Sequence, residues 1–134
     1  MKSKPKVGMT GEVRFEVGPP QVIDFAGGAM PAVLATPWLI KFLEQAGREA
    51  LAPLLEAGET SVGVEIEVSH LAPTPQGQQV VCSARVIRVE GQLVDFQLEA
   101  HDEIEPIARG WHKRAVIRMD RFAHRVEKKK AARA

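Results

Sequence analysis

Cys82 is the only cysteine, so no disulfide can form within the chain. A lone thiol fits a reducing, cytoplasmic setting. Tyrosine is absent and aromatic residues make up 5% of the chain, which leaves few surfaces on which single-stranded nucleic acid can stack. Excess charge is missing too. Lys and Arg total 18 against 17 Asp and Glu, a formal net charge of +1, whereas a dedicated nucleic-acid binder carries a strong basic excess. No apolar run approaches the roughly 20 residues of a membrane-crossing helix. Lys2, Lys4 and Lys6 are not followed by the apolar stretch of a secretory signal. The histidines and the cysteine show no zinc spacing. No phosphate loop, dinucleotide fingerprint or Gly-x-Ser-x-Gly elbow occurs. The expectation is a protein without metal or cofactor that acts on neither nucleic acid nor membrane.

What is present reads as one domain over residues 1–126 and a basic tail over 127–134 with Lys128, Lys129 and Lys130 in a row. Gly11 to Val17 alternates as a strand, and Gly18-Pro19-Pro20 stops it. Gln21 to Pro31 reads as loop. Thr36-Pro37 starts the main helix, with Thr36 as N-cap and Pro37 at the first helical position. Leu39, Phe42, Leu43, Ala46 and Ala50 follow at helical spacing. Pro53 predicts a break between Ala50 and Pro53, and Gly58 a stop. Ser61 to His70 then alternates, with Val62, Val64, Ile66 and Val68 on one face and Gly63, Glu65, Glu67 and Ser69 on the other. Three more strands follow, over 80–86, 94–100 and 107–119. Tight turns between them imply antiparallel neighbours. A five-stranded antiparallel sheet curled around one long apolar helix is the expected α+β arrangement. Its edge strands predict association, at least a dimer.

Three residues carry candidate chemistry. Glu44 projects from the helix near Ile40, Gly47 and Leu51, at the margin of the apolar stripe. Burial there raises a carboxyl pKa, which suits a general base or nucleophile; pairing with Arg48, four residues on, is the bland alternative. His70 ends its strand on the apolar face, where it can polarise a carbonyl or shuttle a proton, or simply close the core edge. Thr36 is explained by capping alone, but a hydroxyl at a helix N-terminus can also hold a reacting water or oxyanion. Gly63 inside a strand marks close approach of a ligand or another backbone. Arg114 suits a thioester carbonyl or phosphates, with a cross-strand ion pair as the alternative. Cys82 reads as a small core residue.

The chain resembles the hotdog-fold acyl-CoA thioesterases related to fluoroacetyl-CoA thioesterase. The matching segments are Val33-Leu34-Ala35-Thr36, Phe42-Leu43-Glu44, Ala52-Pro53-Leu54-Leu55-Glu56, Gly63 to His70, Thr74-Pro75-Gln76-Gly77, Ala100-His101-Asp102 and His112 to Ile117. The resemblance implies hydrolysis of a small acyl-CoA thioester, with Thr36, Glu44 and His70 as the catalytic set and Gly63 and Arg114 contacting substrate. It further implies that a fluoroacetyl-specific relative carries a longer, aromatic-bearing lid before the catalytic threonine. Here Asp24 to Pro31 is short and Gly-rich with Phe25 as its only aromatic, so selectivity for fluoroacetyl is not expected. Two rival functions remain: a non-catalytic acyl-CoA binding module, and hydration of an enoyl thioester.

Overall fold

Alternating side chains and one broken helix determine the architecture. The structure, a computed structural model, describes residues 1–23, 25 and 29–133. Asp24, Ala26, Gly27 and Gly28, on which most of the expected short lid and its Gly-Gly turn fall, lie outside the described residues. In chain order the elements are β1 (Thr10–Glu16), β2 (Val22–Ile23), β3 (Val33–Leu34), α1 (Thr36–Leu51), β4 (Glu59–His70), β5 (Gln79–Glu90), β6 (Leu93–His101), β7 (Pro106–Arg118) and α2 (Met119–Ala131). The stretch read as loop thus contains β2, and β2 pairs with β3 as a two-stranded ribbon.

The main sheet is antiparallel in the order β1-β5-β6-β7-β4. Its inner face is built by alternation: Val80, Cys82, Ala84 and Val86 on β5 and Val94, Phe96, Leu98 and Ala100 on β6 are all buried. Helix α1 lies against this face and buries Leu39, Leu43, Ala46, Gly47, Ala50 and Leu51. Leu39, Leu43 and Phe96 are fully buried, and each such side chain stabilises the fold by about 1.5–3 kcal/mol. Gly11 lets β1 cross α1 at backbone contact: a Cβ there would collide with the Ala46 carbonyl and the Ala50 nitrogen. Phe15 stacks on Phe42 beside that crossing, with ring centroids 3.9 Å apart. The predicted break is present. α1 ends at Leu51, a 3₁₀ turn covers Ala52–Leu54, and Gly58 at φ +85° opens β4.

β4 corrects the sequence reading in one respect. Its register against β7 slips between Gly63 and Glu65, so Val64 is the extra residue of a bulge. Side-chain direction reverses across it. Before the bulge Ser61 and Gly63 face α1. After it Ile66, Val68 and His70 do. Val64, expected inside, is 50% exposed, and Ser61 is buried in its place.

The last strand stops at Arg118, and the sheet is followed by α2, a helix with no buried residue that continues through most of the expected basic tail. Among the described residues, no helix is long and apolar enough to cross a membrane.

A buried polar tie pins the end of the sheet. The Thr74 hydroxyl donates to Asp102 Oδ2 at 2.9 Å, and the Ile104 and Glu105 N–H groups donate to Oδ1 at 2.8 and 2.9 Å. Burial alone would raise the Asp102 pKa, but these three donors, with His101 nearby, hold it below the usual carboxylate range. Asp102→Ala is expected to lower the unfolding free energy by about 2 kcal/mol, the scale of charged hydrogen bonds lost inside a protein, as read by urea titration. Because the folded pKa is depressed, this contribution is complete above the ordinary aspartate pKa and is lost as pH falls through the lowered one. The variant should therefore lose that part of the acid sensitivity.

Candidate active site

Helix α1 begins one residue earlier than its capping pattern suggests. The Leu39 N–H donates to the Ala35 carbonyl at 3.2 Å, so Ala35 is the cap and supplies no side-chain bond. Thr36 occupies the first helical position instead, and its hydroxyl is free for other work. It lies 2.8 Å from Nδ1 of His70, at the end of β4. Burial lowers the His70 pKa below the usual histidine value against a weaker opposing pull from the Ala72 backbone, which favours the neutral ring. Its other nitrogen, Nε2, is buried and has no hydrogen-bond partner among the described residues. The pair lines an apolar cleft of about 330 Å³ with Ile23, Val33, Leu71 and Pro73.

A second group gathers two turns further along α1. Glu44 is not buried within the chain: its side chain is 48% exposed. The described ion partner is Arg114 rather than Arg48, with Nη1 3.7 Å from Glu44 Oε2. Arg114 itself is 4% exposed. Its Nε donates to Ser61 Oγ at 2.9 Å, and its Nη2 donates to the Ser61 carbonyl at 2.8 Å. Gly63 sits opposite Arg114 in the β4–β7 ladder. A Cβ on Gly63 would collide with Glu44 Oε2, so this glycine makes room for the carboxylate. Glu44 borders two clefts. One, of about 330 Å³, also has Lys41, Arg48, Ser61 and Arg114 on its walls. The other, of about 160 Å³, has Gly63, Val64, Ile66 and His112.

The structure therefore brings Thr36 to His70, and Glu44 to Gly63 and Arg114, as two groups. Thr36 and Glu44 are eight residues apart on α1, which is about 12 Å of axial rise. Gly63 and His70 are seven apart on β4, roughly 20 Å of strand. Sequence reasoning missed Ser61 and His112. The signal for His112 was present, since it shares the inward face of β7 with Arg114 and Val116. A larger cleft, of about 590 Å³, lies on the outer face of the sheet around Glu67, Gln97, Arg109 and Trp111 and contains none of the candidates.

Cys82 belongs to the core. Burial pushes its thiol up to about 12, so it is no nucleophile near neutral pH. Among the described residues no cluster of three or more His, Cys, Asp or Glu could hold a metal ion.

A half-exposed carboxylate beside a buried cation suits attack on an activated carbonyl, and an imidazole–hydroxyl pair suits polarisation of a carbonyl oxygen. Comparison with known proteins points the same way. The family model described as fluoroacetyl-CoA-specific thioesterase matches residues 17–120. A fluoroacetyl-CoA thioesterase from Streptantibioticus cattleyicolor is 39% identical over 113 residues, covering 84% of this chain and 80% of that protein. The crystal structure of a point mutant of the fluoroacetyl-CoA-specific thioesterase FlK matches with a TM-score of 0.85 at 34% identity, covering 96% of this chain and 99% of the other. A hot-dog-like protein from Thermanaerovibrio acidaminovorans matches with a TM-score of 0.82 at 30% identity, covering 92% and 91%.

Proposed function

The chain belongs to the fluoroacetyl-CoA-specific thioesterase family and has the hotdog fold, and from that premise we propose that it hydrolyses a small acyl-CoA thioester to the free acid and CoA. The observation that carries this reading is Glu44, a carboxylate set against the buried Arg114 and facing a residue with no side chain. Glu44 acts on the thioester carbonyl, either as nucleophile or by taking a proton from the attacking water. As base, Glu44 takes a proton from the water whose oxygen bonds the acyl carbon, the C–S bond breaks, and that proton passes to the departing thiolate. As nucleophile, Glu44 forms an acyl anhydride as the C–S bond breaks, the thiolate is protonated from solvent, and water then hydrolyses the anhydride to the free acid and the Glu44 carboxylate. His70 polarises the carbonyl or assists the water, Thr36 fixes the ring, and Arg114 with the Gly63 backbone orients the thioester. The cleft of about 330 Å³ beside Thr36 and His70 is at the small end of ligand pockets, which suits a short acyl group.

The two groups are too far apart to meet one carbonyl within a single chain. We place the complete site in a homodimer. β4 pairs only with β7, so its outer edge is free among the described residues, and Val64 on the strand and Leu71 just past its end are exposed. An open edge with apolar side chains favours pairing with another chain. Antiparallel pairing of two β4 edges about a two-fold axis brings the His70 end of one strand to the Gly63 end of the other. The single buried thiol supports a reducing, cytoplasmic setting.

Free-thiol release from a panel of short, branched and aromatic acyl-CoAs tests the activity. Turnover on the short esters is the expected result. CoA-ester binding without turnover would favour a binding module, and conversion of crotonyl-CoA to its hydrated thioester would favour a hydratase.

A further inference from the structure

His112 lies in the middle of β7 and is fully buried. Space for its ring is made on purpose-built terms. Gly47 of α1 passes directly over it, and a Cβ at that position would stand 3.0 Å from the ring carbon Cδ2. A glycine inside a helix costs about 1 kcal/mol relative to alanine, and here it admits an imidazole. Phe96 lies beside the ring, with centroids 6.1 Å apart.

The ring is tied on both sides. Nδ1 is 2.8 Å from the Glu65 carbonyl, the residue that follows the bulge in β4. A carbonyl only accepts, so Nδ1 carries the proton. Nε2 is then a lone-pair acceptor, and it stands 3.3 Å from Arg114 Nη1. That nitrogen is the one that meets Glu44. Burial, aided by the Arg114 charge, lowers the His112 pKa, against the weaker opposing pull of the Glu65 bond and Glu44. A leucine would fill the same space. It would leave Nη1 located from one side only, because both bonds to Ser61 come from Nε and Nη2.

We propose that His112 is a positioning residue: through its Nδ1 bond to the β4 backbone and its Nε2 contact with Arg114, it orients the guanidinium that holds Glu44 for attack. This rests on the reading of Glu44 as the group that acts on the thioester.

The test is a double-mutant cycle on thiol release from a short acyl-CoA. His112→Leu is expected to lower kcat by about 10- to 100-fold, the scale of a small misplacement of a catalytic group, with KM within about threefold of wild type. His112→Gln should recover most of that loss, because its amide can donate to Glu65 and accept from Arg114. The double variant His112→Leu with Arg114→Lys should be no slower than Arg114→Lys alone. Losses that multiply in the double variant, or equal losses in the leucine and glutamine variants, would overturn the proposal. Should the leucine variant not fold, the ¹⁵N imidazole spectrum of the wild type decides. A neutral ring protonated at Nδ1, whose Nε2 signal moves in Arg114→Lys, supports the proposal; protonation at Nε2 sinks it. Missing wild-type turnover would count against the thioesterase reading instead, and the imidazole spectrum still tests His112 independently.

Discussion

Glu44→Gln is expected to lower kcat for hydrolysis of short acyl-CoAs by about 10²- to 10⁴-fold, the contribution of a well-placed acid–base group. The substitution keeps the size of the side chain and removes its charge, its proton affinity and its nucleophilicity. KM should move little, because the walls of both clefts stay in place. The fold should survive as well. Glu44 is half exposed, and Arg114 keeps its two bonds to Ser61 and its contact with His112 when the carboxylate becomes an amide. Thiol release under saturating substrate measures the loss, with circular dichroism as the control for folding. Rapid-quench single turnover on the wild type separates the two roles of Glu44. An acyl group trapped on the residue assigns it as nucleophile, whereas release of acid with no acyl-enzyme at any quench time assigns it as base. Undiminished turnover in Glu44→Gln would remove Glu44 from the mechanism.

Much of this site was legible because strand alternation and helical spacing place side chains before any contact is known. The β5 and β6 inner faces follow alternation residue by residue, and the break after α1 follows from Pro53. What failed was register. A bulge at Val64 is invisible to a period-two reading, since valine is as good a strand residue as any and nothing in the pattern says that one position is extra. Alternation without a bulge puts Gly63 on the opposite face from His70. With it, both residues turn toward α1, and the strand can serve Glu44 at one end and Thr36 at the other. The cap of α1 failed for a similar reason. Thr is the stronger cap by propensity, but here its hydroxyl is engaged by His70 and Ala35 caps with backbone alone. Helix α2 was lost in polar sequence, although Met119, Phe122 and Val126 recur at helical spacing on it. Glu44 was expected to be buried, and only its helix neighbours were counted; the open side of its cleft depends on tertiary placement that no local pattern contains.

A mixed dimer built from one Glu44→Gln chain and one His70→Ala chain is expected to recover about half of the wild-type rate, although each variant alone is nearly inactive. The reasoning follows from the two separated groups. Within one chain the Thr36–His70 pair and the Glu44–Gly63–Arg114 group stand about two turns of α1 apart, about 12 Å by helix rise. If each complete site takes one group from each subunit, a mixed dimer has one site with both defects and one with neither. Two different tags on co-expressed chains and sequential purification isolate that dimer from the two parental forms. The His70→Ala parent should itself be slowed by about 10²-fold or more, because the ring is the only neutral acid–base group beside the Thr36 cleft among the described residues. Recovery near half assigns the carboxylate and the imidazole of each site to different chains. A mixed dimer as inactive as its parents would place both groups of each site on one chain. That outcome would require the two groups, both seated between α1 and β4 but two turns of α1 apart, to close a gap along the helix axis that a packed helix holds open.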